Sequence, residues 1–163
     1  MKAAVIYISI HHGNTKKVAE VIAKALKAKL IDLARINQED LLKEVPKYGL
    51  IGFGSGIYAW QHHLKLLKFV DSLPNINKKA FIFSTKGAGP RASYHGALRK
   101  RLLAKGLKII GEFSCKGWDT FALLSLIGGI NKGHPNKEDL MGAKQFAKSL
   151  KKAVSSIKAR KRR

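Results

Sequence analysis

The sequence predicts an α/β protein in which a parallel sheet is covered by helices on both faces. Five apolar, β-branched runs alternate with five segments of helical periodicity, the order that produces a parallel sheet. The runs are continuously apolar instead of alternating, as expected of strands buried on both faces. The length of 163 residues suits one domain, which can bury roughly two-thirds of its unfolded surface.

The elements follow in order. Residues 2–10 form the first strand, and 16–29 a helix with Val18, Val21, Ile22, Ala25 and Leu26 on one face. Residues 30–33 give a short second strand and 38–45 a short helix stopped by Pro46, which cannot continue it. The third strand spans 48–53, with a glycine turn at 54–56 and a helix over 61–73. Residues 80–84 are the fourth strand. Tyr94, Ala97, Leu98, Arg101 and Leu102 mark a helix ended by Gly106, and 107–114 the fifth strand. Asn136 with Asp139 three residues on is a capping-box-like start for a last helix whose stripe is Leu140, Ala143, Ala147, Leu150 and Val154. We expect one domain over 1–155 and a basic tail over 156–163.

Composition narrows the class. Apolar residues make up 45% of the chain and mean hydropathy is −0.13, the profile of an ordinary globule. No apolar run approaches the ~20 residues of a membrane span, and no signal-peptide cleavage pattern follows the first strand. Cys115 is the one cysteine, so no internal disulfide or C-x-x-C pair forms, which points to the reducing cytoplasm. Thirty-two Lys and Arg face ten Asp and Glu, a net charge of +22 that favours anionic partners.

In such sheets ligands bind beyond the carboxyl ends of the strands. The first loop there is Ser9-Ile10-His11-His12-Gly13-Asn14-Thr15. Its hydroxyls, imidazoles and glycine precede open helix amides, an arrangement suited to phosphate; Asn14 or Thr15 serves equally as a plain N-cap. Adjacent histidines without a third ligand of fitting spacing do not make a metal site.

Gly13-Asn14-Thr15 resembles the end of the flavodoxin phosphate loop, hydroxyl-x-Thr-Gly-x-Thr, at the same place after the first strand. His11 and His12 stand where that family carries hydroxyls. The resemblance covers residues 2 to about 150 and implies a flavodoxin-like three-layer sandwich with strand order 2-1-3-4-5. It also implies a non-covalently bound FMN that carries electrons between redox partners; the net charge of +22, not the resemblance, makes acidic partners the expectation.

The second loop, Gly54 to Trp60, joins glycines for close approach to Tyr58 and Trp60, whose flat faces suit isoalloxazine; both also read as ordinary packing. Resemblance puts Gly56, Ile57, Tyr58, Ala59 and Trp60 at the ring, with Tyr58 stacking and the Ala59 peptide at flavin N5, where the family often has Gly. The third loop, Ser84-Thr85-Lys86-Gly87 and on to Pro90, takes the family's place at the pyrimidine edge. Lys86 is either near flavin N1 or solvated. Tyr94 and Trp118 each either cover the flavin or pack. The segment after Cys115 runs long, to Pro135, and departs from short flavodoxins; loops of such length are usually functional.

Two other readings compete. One is an FMN-dependent oxidoreductase related to quinone reductases or protoporphyrinogen oxidase, although no acid–base pair stands out. The other is a basic nucleic-acid-binding module, which lacks a recognised motif and would bind without sequence specificity.

Overall fold

The computed structural model describes residues 1–89, 91–120 and 122–160, without the side chains of 91–93, 122–123 and 157–160. Pro90 and the last three residues of the expected tail lie outside the described residues.

The strands are β1 (Ala3–Ile8), β2 (Lys29–Asp32), β3 (Leu50–Tyr58), β4 (Gln61–His62), β5 (Lys79–Lys86) and β6 (Lys108–Lys116). The helices are α1 (Asn14–Leu26), α2 (Gln38–Glu44), α3 (Leu64–Asp71), α4 (Arg91–Ala104) and α5 (Lys137–Arg160). The sheet runs β2-β1-β3-β5-β6, all parallel, with β4 pairing antiparallel to β3. Leaving β4 aside, this is the expected order 2-1-3-4-5.

Each face of the sheet has its own core. Val5 and Tyr7 of β1 face Val18 and Ile22 of α1 and Ala143, Ala147 and Leu150 of α5. Ala4, Ile6 and Ile8 face the other way, toward Leu41 of α2, Phe69 and Val70 of α3, and Leu98 and Leu102 of α4. Successive side chains point to opposite faces, so a strand apolar at every position needs helices on both sides. Asn136 and Asp139 close the expected capping box at α5: the Asp139 amide donates to Asn136 Oδ1 at 3.0 Å and the Asn136 amide to Asp139 Oδ2 at 2.9 Å.

Two boundaries are corrected. Gly54 to Gly56 is not a turn, because β3 continues to Tyr58. A Cβ on Gly52 would lie 2.2 Å from the Phe81 ring and one on Gly54 2.3 Å from the Phe83 ring; these glycines let phenylalanines of β5 lie across β3. The reversal comes later, at Ala59 and Trp60, both with positive φ (45° and 66°), the pattern of a type I′ hairpin turn. Residues 61–62 are therefore strand, and the third helix starts at Leu64 instead of residue 61.

Candidate functional site

The first loop enters α1 through two left-handed residues, His12 (φ 53°) and Gly13 (φ 66°). Gly13 is the N-cap and no side chain caps the helix, which leaves first-turn amides and the positive dipole end open. Ser9 Oγ, in the same loop, is buried without a hydrogen-bond partner among the described residues. Asn14 and Thr15 are buried and engaged elsewhere: Asn14 Nδ2 donates to the Trp118 carbonyl at 2.7 Å, and Thr15 Oγ1 lies 2.8 Å from Thr85 Oγ1. These bonds tie the first loop to β5 and to the segment after β6. His12 stacks on Trp118 with ring centres 3.9 Å apart and reaches Thr120 Oγ1 with Nε2 at 2.8 Å.

The second loop is the β3–β4 hairpin. Tyr58 folds back over Gly56, whose Cβ would lie 2.9 Å from the Tyr58 hydroxyl, and its ring centre is 5.9 Å from that of His11. Burial raises the Tyr58 pKa and Asp119 adds to the shift, while hydrogen bonds from the Ile10 and His11 amides oppose it. Tyr58 thus lies across the phosphate-type loop. The cleft between Tyr58, Thr15, Thr85 and Trp118 is narrow, about 40 Å³. Outside it opens a cavity of about 300 Å³ walled by Ile57, Tyr58, Ala59, Trp60, Lys86, Gly87 and Tyr94, at the lower end of small-molecule sites. Trp60 is 73% exposed, and its ring centre lies 5.7 Å from that of Tyr94.

In the third loop, Lys86 turns back to donate to the Gly89 carbonyl, and its ammonium sits 5.8 Å from the centre of the Tyr94 ring. Asn131 Nδ2 holds the Gly87 carbonyl at 2.5 Å. Ser84 does not line either cavity. Its hydroxyl is buried on the α4 side of the sheet, 2.8 Å from His95 Nε2 and 2.9 Å from Ser114 Oγ. The expected residues of all three loops otherwise gather at one sheet edge. Sequence reasoning missed Asp119, which lines both cavities, and Asn131. The length of the segment from 117 to 135 was the available signal: its backbone is laced to the site by Gly117 N to Lys86 O (2.9 Å) and Trp118 N to His134 O (2.9 Å).

A family model described as a flavodoxin domain matches residues 4–116. The chain belongs to the flavodoxin family. An uncharacterized protein of Methanocaldococcus jannaschii is 46% identical over 153 residues, 93% of this chain and 99% of that protein. A flavodoxin from the domain Archaea superposes with a TM-score of 0.70 at 20% identity, covering 95% of this chain and 99% of that one. Rubredoxin oxygen:oxidoreductase from Desulfovibrio gigas gives 0.72 at 17% identity, over 95% of this chain but 36% of that one.

Membership in the flavodoxin family makes FMN the cofactor and electron transfer its general use. The donor set fits that group: an uncapped helix start, an orphaned buried serine hydroxyl in the loop before it, and a cavity walled by three aromatic side chains. Among the described residues, no helix is long and apolar enough to cross a membrane.

Proposed function

We propose that this flavodoxin is an electron carrier whose partners are acidic redox proteins. It holds FMN with the phosphate at Ser9 to Thr15 and the ring between the Tyr58–Trp60 hairpin and the Ser84–Gly87 loop. The uncapped start of α1, with the orphaned Ser9 hydroxyl in the loop that leads into it, carries this reading, because backbone amides and a helix dipole suit a dianionic phosphate. FMN supplies one- and two-electron redox chemistry when bound. The chain supplies the amides, the aromatic walls, and Thr85 and Lys86 at the opposite rim. Because the inner cleft holds little more than water, seating the cofactor requires the Tyr58 side chain to swing outward from the Ile10 and His11 amides. Cys115, buried and pushed up to about 12 chiefly by burial, is an inert thiol suited to the reducing cytoplasm.

Titration of cofactor-free protein with FMN, riboflavin and FAD tests this. FMN binds tightest, riboflavin loses the phosphate contribution, and binding quenches tryptophan and tyrosine fluorescence. Tyr58→Ala weakens FMN about tenfold, one stacking contact of roughly 1–1.5 kcal/mol. Equal affinity for FMN and riboflavin would remove the phosphate from α1. RNA binding indifferent to FMN would favour a nucleic-acid role for the charge instead.

A further inference from the structure

On the α4 side of the sheet, directly under the hairpin, two buried histidines lie with ring centres 5.0 Å apart, His62 of β4 and His95 of α4. The sheet register places serines beside them in one row, Ser55 opposite Ser84 and Ser84 opposite Ser114.

The hydrogen bonds assign different protonation states to the two rings. The Ser55 hydroxyl donates its one proton to the Gly56 carbonyl at 2.7 Å and accepts the His63 amide at 3.0 Å. His62 Nδ1, 2.9 Å from that oxygen, must therefore be the donor, and neutral His62 keeps a bare lone pair on Nε2. That nitrogen is buried and has no hydrogen-bond partner among the described residues.

His95 is the reverse case. Ser84 gives its proton to Ser114, so His95 Nε2 donates to Ser84 while Nδ1 donates to Glu112 Oε2 at 2.9 Å. A ring that donates at both nitrogens is an imidazolium. Arg99 grips the same carboxylate with two bonds of 2.7 Å. Burial works to raise the Glu112 carboxyl, but hydrogen bonds from Arg99 and His95 outweigh it and hold it below the usual carboxylate range.

We infer that His62 is a redox-linked proton site: its Nε2 takes up one proton from solvent when an electron reaches the ring seated at the hairpin, and His95 is the positioning residue whose charge adds to burial in keeping it neutral beforehand. This rests on the flavin position proposed above. The electron comes from the redox partner, the proton from water, and the only bond formed is N–H on His62. Most buried polar atoms are paired, whereas this one is left as a base beside a fixed cation. His62 pairs with Ile57 in the hairpin that carries Tyr58, and His63 sets its ring edge-on against Tyr58 at 5.4 Å. New negative charge there acts on His62 through a poorly screening interior. Burial first, and the charge of His95 second, hold His62 well below the ordinary histidine range. The other groups around the hairpin include Tyr58, His63, His11 of the first loop, Lys65 at the start of α3, Lys86 of β5, Arg99 of α4, Glu112 of β6 and Asp119. Among them Lys65 also lowers His63, after burial.

Histidine-selective ¹⁵N NMR on the full FMN-loaded chain, oxidised and then chemically reduced, tests this between pH 5 and 8. Expected is an unprotonated Nε2 on His62 in the oxidised protein and a protonated one after reduction, with proton affinity raised at least tenfold. The midpoint potential carries the same signature: wild type binds a proton that His62→Gln does not, so their one-electron slopes differ by up to about 59 mV per pH unit, the tenfold proton dependence converted. In His95→Gln, which removes the lesser of the two causes, His62 is protonated at a higher pH than in wild type in both redox states. An Nε2 that stays unprotonated in both redox states, or equal slopes in wild type and His62→Gln, overturns the inference while leaving the flavin site intact. If adding FMN shifts neither the His62 nor the His63 signals, the flavin position itself fails and this inference fails with it.

Discussion

Ala59 shows what the hairpin costs at the level of one residue. Its φ of 45°, followed by 66° at Trp60, puts two residues with Cβ atoms in the left-handed region, at roughly 1–2 kcal/mol each. Type I′ turns ordinarily use Asn-Gly for this reason. Neither side chain recovers the cost by burial, since both are exposed and Trp60 stands 73% open. Strain held at an exposed aromatic is characteristic of a site whose geometry serves binding. Ala59→Gly is therefore expected to stabilise the protein by about 0.5–1 kcal/mol, the relieved strain less the extra chain entropy of glycine. Urea unfolding reads this as a higher midpoint at unchanged m. A lower midpoint would mean that Ala59 does not occupy the left-handed region in solution.

At the level of elements, local signals in the sequence carried furthest. The Asn136/Asp139 box was legible because capping is a three-residue affair, and it starts α5, whose Ala143, Ala147 and Leu150 close one core. Asn136→Ala should cost about 1 kcal/mol, measurable as a drop in Tm; no change would show the cap to be replaceable by water. The alternation of strands and helices was legible for a similar reason, since periodicity is local. Gly54 misled because its meaning is non-local: like Gly52, which the expected strand did include, it makes room for a phenylalanine from a strand almost thirty residues away. The two-residue β4 was too short to register against the helical pattern that follows it. The three ligand loops could be identified from strand ends, yet Ser84 could not be told from Thr85, because only the register decides which of two neighbours faces the cleft. The His95–Glu112–Arg99 cluster joins residues of α4 and β6 that share no motif, so nothing short of the fold assembles it.

At the level of the whole molecule the charge decides. Most carboxylates are already matched: Glu20, Asp32, Asp40, Glu44, Asp71, Glu112 and Asp139 each lie within ion-pair distance of a basic side chain. The excess of cations behind the net +22 therefore faces solvent largely uncompensated. Lys86 and Lys132 bring part of that excess to the site, lining its outer cavity and an adjoining one. A field of this sign accelerates encounter with an acidic protein and slows it with a basic one, without adding contacts to the final complex. Screening length falls from roughly 20 Å at 20 mM salt to about 6 Å at 300 mM, by square-root scaling from 10 Å at 0.1 M. Over that range the second-order rate of electron transfer from the FMN-loaded protein to an acidic ferredoxin-type partner should fall at least tenfold, while the rate to a basic cytochrome-type partner should rise. Stopped-flow measurement at both salt concentrations checks this. A rate to the acidic partner that stays flat would mean that docking is governed by the apolar rim around Trp60, and that the charge answers to something other than electron transfer.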